Sequence, residues 1–332
     1  MKKAVAAILA FGVLAAFPAE AQKYNITLTG ASPGGLWSRI GNGIDAAIAK
    51  AYPGSTVTYQ TSSGGLANAK LVSEGKVPMG LITDGELNAA VNGQKPFKSA
   101  IKNTRILFRV YAPASRFQMS FLAMSKSFAD KHGVKTFADI VKKKAPMRIA
   151  INRRGNMDAD VGEAAMTMMG ASKANIKAWG GQVIHAASKE IVSLMLDRRL
   201  DVANFGIAFN HPRVREIAKG ISPILMTYSP EAAASIAKKF GGQVCKVKPG
   251  EYKWASNGAT SVCMGAVVIA NASMDAKLAY NITKAMIEQI ETFKNKSHRL
   301  IKKTATTKVV SQKGQAPYHP GSIKYLKEKG LM

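Results

Sequence analysis

The chain has 332 residues, with 47 lysines and arginines against 20 aspartates and glutamates and a formal charge of +27 at neutral pH. The positive charges are dispersed along the chain. This argues against a nucleic-acid partner and describes a basic surface that attracts small anions. After residue 21 no stretch carries 18 uncharged apolar residues, so no membrane-spanning helix is expected.

The first 21 residues read as an export signal. Lys2 and Lys3 form a positive start, Ala4 to Phe17 an apolar run, and Ala19-Glu20-Ala21 a small-x-small cleavage site. The mature protein is therefore expected in the periplasm as a monomer, starting near Gln22. About 310 residues remain, enough for two lobes with a core each. The only cysteines are Cys245 and Cys263. In an oxidising compartment an even pair can form a disulfide, and two reduced buried thiols are the alternative.

From residue 24 onward, strand-like runs alternate with helical patterns, which predicts an α/β fold with parallel sheets. "YNITLTG" is a first strand, and apolar residues at 36, 37, 40, 44, 47, 48 and 51 mark the helix after it. "STVTYQTSSG" is a second strand, and "PMGLITDGE" a third that ends in Asp84. "RILFRVYAP" is a fourth, able to carry the chain out of the first lobe. A second α/β series begins with "QMSFLAM", continues through "MRIAINRRGNMDADVG" and "SKEIVSLMLDRRL" with Ser188 as N-cap, and reaches "DVANFGIAFN". "SPILMTYS" is read as a return strand, and the rest includes "SVCMGAVVIA" and then the helix "DAKLAYNITKAMIEQIETF". The expected organisation is residues 22–112 as the first part of lobe I, 113–228 as lobe II and 229–332 as the rest of lobe I.

Three loops each follow a strand and precede a helix: Ala31 to Gly35, Thr61 to Gly65 and Asn152 to Asp158. Ligands of open α/β sheets bind outside the carboxyl ends of the strands, where helix N-termini offer unpaired N–H groups to an anion. The loops therefore nominate Ser32, Gly34, Gly35, Leu36, Trp37, Ser62, Ser63, Asn156 and Asp158 as ligand-binding residues. Thr83 and Asp84 join them from the third strand end, and Asn210 from the turn after "DVANFGIAF". Asp84 is placed to accept an ammonium, or else to cap the next helix. Arg153 and Arg154 offer a guanidinium that can grip a carboxylate on two oxygens, and the alternative is a solvated pair. Trp37 either stacks on the ligand or covers the loop's flank. Asp158 and Asp160 sit at a helix start, where they read as caps.

Other chemistries are poorly represented. The loop lacks both G-x-x-x-x-G-K-[ST] and G-x-G-x-x-G, so no nucleotide or other cofactor is expected. Histidines 132, 185, 211, 298 and 319 lack metal-ligand spacing, and no G-x-S-x-G or C-x-x-C occurs. The pattern points to a binding protein, not an enzyme.

Several stretches together resemble the TAXI family, the substrate-binding subunits of one branch of tripartite ATP-independent periplasmic (TRAP) transporters. "TGASPGGLWSRIG" is similar to that family's T-G-x-x-G-G-x-Y-Y-P-x-G, with Trp37 and Ser38 at the aromatic positions and Arg39 at the proline. "SSGGLANAKLVSEGKVPMGLITDGEL" resembles its second segment, matching at Asn68 and Gly75. "APYHPGSIKYLKEKG" resembles its carboxyl-terminal P-L-H-P-G-A-x-x-Y-Y-x-E-x-G. The third loop departs: "NRRGNMD" stands where G-x-P-G-S-G-T is usual, so that Asp158 takes the threonine position. The resemblance implies a two-lobed periplasmic-binding-protein fold of type II. It also implies a small anionic or zwitterionic carboxylate as ligand, and TRAP membrane subunits as partners. Two other readings are a sensor subunit that presents ligand to a receptor kinase, and an envelope protein that binds polyanions through its basic surface.

Overall fold

The structure is a computed structural model that describes residues 22–332; the export-signal reading of residues 1–21 lies outside the described residues. Twelve strands are present among them. In chain order they are β1 (Asn25–Thr29), β2 (Thr56–Gln60), β3 (Met79–Thr83), β4 (Thr104–Tyr111), β5 (Gln118–Met124), β6 (Arg148–Asn152), β7 (Gln182–Ala186), β8 (Val202–Ile207), β9 (Ile224–Leu225), β10 (Gln243–Val247), β11 (Ala259–Met264) and β12 (Ala266–Asn271). They form two sheets. Lobe I has the order β2-β1-β3-β12-β4, and lobe II has β10-β11-β5-β8-β6-β7 with β9 paired to β5.

Both sheets are mixed, not parallel throughout. Strands β1, β2 and β3 run parallel to one another, as do β6, β7 and β8. Strands β12 and β5 pair antiparallel to their neighbours. The reason is the crossing itself: each of these strands enters its sheet from the other lobe and so runs away from the cleft. The second crossing also lies later than expected. The helix Pro230–Lys239 with β10 and β11 remains in lobe II, and the chain returns at Gly265, not at 228–229. The run "SVCMGAVVIA" is thus two strands: Gly265 divides it, β11 closing the lobe II sheet and β12 entering lobe I between β3 and β4.

Alternation and period set the cores. Strand β3 is buried at all five positions, as a central strand covered on both faces must be. The helix Leu36–Ala51 contributes Ile40, Ile44, Ala47 and Ile48 to the same core, together with Phe108, Val268 and Phe293. In lobe II, Ile149 and Ile151 face one core with Phe128 and Met147, while Ala150 faces the other with Phe121 and Phe205. Cys245 and Cys263 are bonded and tie β10 to β11. Closing that loop stabilises the lobe by about 3 kcal/mol.

The carboxyl-terminal segment that resembles the TAXI pattern is architectural. His319 caps the helix Pro320–Glu328, and its backbone N–H bonds to Ile106 in β4. No helix of the described residues is long and apolar enough to cross a membrane.

Candidate functional site

The two lobes enclose a cavity of about 340 Å³ at the strand ends, lined from both sides. On the lobe I side, Asn68 ties the loops together from full burial. Its Nδ2 donates to the carbonyls of Gly30 (2.9 Å) and Leu81 (2.6 Å), and its Oδ1 accepts from Thr29 and Ser62. The Tyr59 hydroxyl accepts from the Ala31 N–H at 2.6 Å and fixes the start of the first loop. Ala31, Ser32, Pro33, Gly35, Leu36, Trp37, Ser62 and Ser63 then face the cavity. The helix beginning at Leu36 has Gly35 as N-cap and no side-chain cap, so its first N–H groups are left for a ligand.

The lobe II side is built from the ends of β6, β7 and β8 and the start of β5. Asn152 is buried and braces three of these: its Oδ1 accepts from Gly206 N–H (2.8 Å), its Nδ2 donates to Ser188, and its carbonyl contacts His185 Nδ1. Arg153, Asn156, Asp158, Ala187, Ser188, Lys189 and Arg213 line the cavity. The helix Ser188–Leu196 also lacks a side-chain cap: its N-cap is Ala187, and Ser188 is the first helical residue instead of the cap. Each lobe therefore turns one uncapped helix N-terminus toward the cavity, a double source of positive potential for an anion.

Contacts between the lobes hold the cleft shut. Glu86 of lobe I uses Oε2 to accept from the backbone N–H and hydroxyl of Thr83, while Oε1 accepts from Met157 N–H of lobe II at 3.3 Å. Gly65 leaves room for that carboxylate, since a Cβ there would come within 2 Å of it (1.9 Å to Oε2). Burial raises the Glu86 pKa. A relay of donors runs in one direction across the crossing: Trp37 Nε1 to Tyr111 Oη (3.0 Å), Tyr111 Oη to Gln118 Oε1 (2.8 Å), Gln118 Nε2 to Asp158 Oδ1 (2.8 Å). Burial pushes Asp158 up to about 7. At the rim the rings of His211 (lobe II) and His298 (lobe I) stack at 5.4 Å. Burial, with arginines nearby, lowers His211 to about 3 and His298 to about 4.

Of the residues nominated by the sequence, Ser32, Gly35, Leu36, Trp37, Ser62, Ser63, Arg153, Asn156 and Asp158 meet at this cavity. Gly34, Thr83, Asp84, Arg154 and Asn210 do not line it. Thr83 is buried as the N-cap of its helix in a capping box with Glu86. Asp84 neither binds in the cleft nor caps: it forms a buried two-oxygen ion pair with Arg109 (2.6 and 2.8 Å) beside the crossing at Gly265. Asn210 is exposed and takes a left-handed turn (φ 55°) into the next helix. The cap of the helix Met157–Met168 is Asn156, not Asp158 or Asp160. Trp37 is 9% exposed and covers the loop's flank, as part of the lobe I core.

The cavity also contains residues that sequence reasoning missed. Ala187, Ser188 and Lys189 occupy a strand–turn–helix junction like the three nominated loops, but without glycine. Weighting the junction over the glycine would have found them. Gln118, Phe117, His211 and Arg213 carried no signal, because only the crossing and the lobe-to-lobe approach bring them to the cavity. Among the described residues no three His, Cys, Asp or Glu side chains converge as a metal ion would need.

Residues 28–330 match the model of the NMT1-like family. The chain belongs to that family. The fold is that of periplasmic binding proteins. The structure is similar to the periplasmic binding protein BugD, with TM-score 0.54 and 12% identity over 93% of this chain and 98% of that one. It is similar to MatC from Rhodopseudomonas palustris with bound malate, with TM-score 0.54 and 11% identity over 82% and 87% of the two chains. A third likeness is to a binding-protein component of an ABC phosphonate transporter from Pseudomonas aeruginosa, with TM-score 0.51 and 10% identity over 83% and 79%. At these identities the likeness speaks for the fold and not for a shared ligand. In this NMT1-like chain the two lobes are joined by crossing strands and the cavity lies between them.

Proposed function

We propose that this protein is an exported solute-binding protein. In this reading it captures a small carboxylate, an organic acid or a glutamate-like amino acid, by closing its lobes about a hinge, and delivers it to a TRAP membrane permease. It does no chemistry on the ligand. The observation that carries this reading is the cavity itself: one uncapped helix N-terminus from each lobe, with Arg153 and Arg213 on its wall. A carboxylate there is met by unpaired N–H groups and guanidinium donors in a partly desolvated space. The closed arrangement exists only while both lobes contribute, so a ligand that touches both shifts the population toward closure. Malate in MatC is an example of a small dicarboxylate held by a protein of similar fold. The motif resemblance to the TAXI family supports the choice of permease.

The test is thermal melting of the mature protein against amino acids, dicarboxylates, aromatic acids and sugars. A ligand at 1,000 times its Kd should stabilise by about 4 kcal/mol and raise the melt by several degrees. Carboxylates should shift the melt and sugars should not. A response to sugars alone, or none after denaturation and refolding to strip endogenous ligand, would sink the proposal.

A further inference from the structure

We infer that Asp158 is the ammonium subsite of this cleft, so that its ligand is an amino acid or comparable zwitterion. This rests on the reading of the cavity as the solute site and narrows it. Three acidic side chains lie at or near the lobe junction, and two of them are fully engaged. Asp84 gives both oxygens to Arg109, and Glu86 gives its oxygens to Thr83 and to Met157 N–H. Asp158 is different. Its Oδ1 accepts from Gln118, while Oδ2 has no hydrogen-bond partner among the described residues, forms no ion pair, and belongs to a half-buried residue that lines the cavity.

The surroundings orient this carboxylate without neutralising it. Trp37, Tyr111 and Gln118 each donate to the next, so the relay ends on a donor aimed at Oδ1 and fixes the Gln118 amide with its nitrogen toward Asp158. On the other side Gly206 makes room: a Cβ there would stand 2.1–2.3 Å from the carboxyl atoms. The charged groups that act on Asp158 most strongly are Glu86 and Asp160, both of which oppose its ionisation. In a chain with more than twice as many basic as acidic residues, neither cavity-lining carboxylate, Glu86 nor Asp158, has a basic partner, and of the two only Asp158 keeps an oxygen without a hydrogen bond among the described residues. An ammonium seated on Oδ2 supplies the missing cation and a charged hydrogen-bond donor at once. The carboxylate end then has Arg153, Arg213 and the start of the helix Ser188–Leu196 on the same cavity wall. A volume of about 340 Å³ lies at the small end of ligand sites and suits a molecule of amino-acid size.

The decisive experiment is calorimetry at pH 7 on the mature protein with matched pairs of one carbon skeleton: glutamate and glutarate, aspartate and succinate, leucine and 4-methylpentanoate, phenylalanine and 3-phenylpropanoate. For the skeleton that fits, the amino member should bind at least tenfold tighter. Its binding should also release protons, read as an enthalpy that varies with the ionisation enthalpy of the buffer, because an ammonium drives Asp158 to its charged form. Asp158→Asn should abolish both the preference and the proton release, so that the amino and deaminated members of a pair bind with similar affinity. Melting and circular dichroism of the variant verify its fold, and Asp158→Glu, which keeps the charge, should retain part of the preference. Equal or tighter binding of the deaminated acids, or a preference that survives Asp158→Asn, overturns the ammonium subsite while leaving carboxylate capture intact. Binding by no member of either series overturns carboxylate capture, and the subsite with it.

Discussion

The two walls of the cleft are built from the same strand–turn–helix unit and differ in what they offer a ligand. The lobe I wall is neutral apart from Glu86: Ser32, Gly35, Leu36, Trp37, Ser62 and Ser63 give shape, and the Ser62 hydroxyl is already engaged with Gly30 and Asn68. The lobe II wall carries Arg153, Lys189, Arg213 and Asp158. Two aspartates make the contrast concrete. Each stands near a helix start after a strand, yet Asp84 in lobe I is locked to Arg109 at the crossing, whereas Asp158 in lobe II keeps one oxygen for the cavity. Lobe I gives the cavity its shape and holds the ion pair at the crossing; lobe II carries most of the charge on the wall.

The largest effect should come from breaking that ion pair. Asp84→Ala strands a buried guanidinium and should cost about 3–5 kcal/mol, read as a lower denaturation midpoint. The comparison sharpens if the folded fraction still binds ligand, since Asp84 is outside the cavity. A midpoint unchanged by Asp84→Ala would show that the pair carries no such role.

Next come the arginines of the lobe II wall. Arg153→Ala and Arg213→Ala should each weaken a carboxylate ligand about 10- to 100-fold, whereas Arg154→Ala should leave Kd unchanged by titration calorimetry. If Arg154→Ala weakens binding as much as Arg153→Ala does, the charge is a diffuse surface effect and the division between the walls fails.

A third outcome concerns the rim, where both walls meet. His211 and His298 are held low while stacked, and near 6.5 once separated and solvated. Opening therefore takes up protons, so acidification below about 6.5 favours the open form, and above that pH the pair has no effect. Arg39, Arg213, Arg215 and Arg299 all act in the same direction. Asp158 opposes them only in the empty cleft, where burial pushes it up to about 7 and protonation favours closure. Once an ammonium is seated it must lose that proton, so acid weakens binding there too, equally in the native protein and the variant below. The clean comparison is His211→Asn, which keeps a capping side chain but does not titrate. Between pH 7.5 and 5, ligand affinity of the native protein should fall relative to that variant by several-fold and at most roughly 30-fold. Parallel pH profiles would mean that the lobes do not separate at this stack.

The smallest effect is Trp37→Phe. It removes the first donor of the relay and leaves the aromatic flank, which should cost about 1 kcal/mol by denaturant melt. A larger loss of ligand affinity than of stability would mean that the indole touches the ligand directly.

Much of the fold was legible in the chain. The helix Leu36–Ala51 follows from its 3.6-residue stripe, β3 from an unbroken apolar run, and the first and third loops from glycines between a strand and a helix. Arg153 and Arg154 were equivalent by sequence, and only one lines the cavity, because adjacent side chains on a turn point apart. The division at Gly265 is not legible in the chain because β11 and β12 are both apolar: an apolar run records burial but not the sheet in which it is buried.

The sequence by itself determined the alternation of strands and helices, the two cores and the places where helix N-termini would open on a cleft. These depend on neighbours within a few residues, and short-range periodicity and turn chemistry encode them. Tertiary structure alone decided that Asp84 would meet Arg109, that Glu86 would reach Met157 across the lobes, that His211 would stack on His298, and that Gln118 would aim its amide at Asp158. Those pairings join residues 25, 71, 87 and 40 positions apart. Which partner a polar side chain finds at such range depends on how two lobes are threaded by crossing strands, and no local pattern in the chain carries that information.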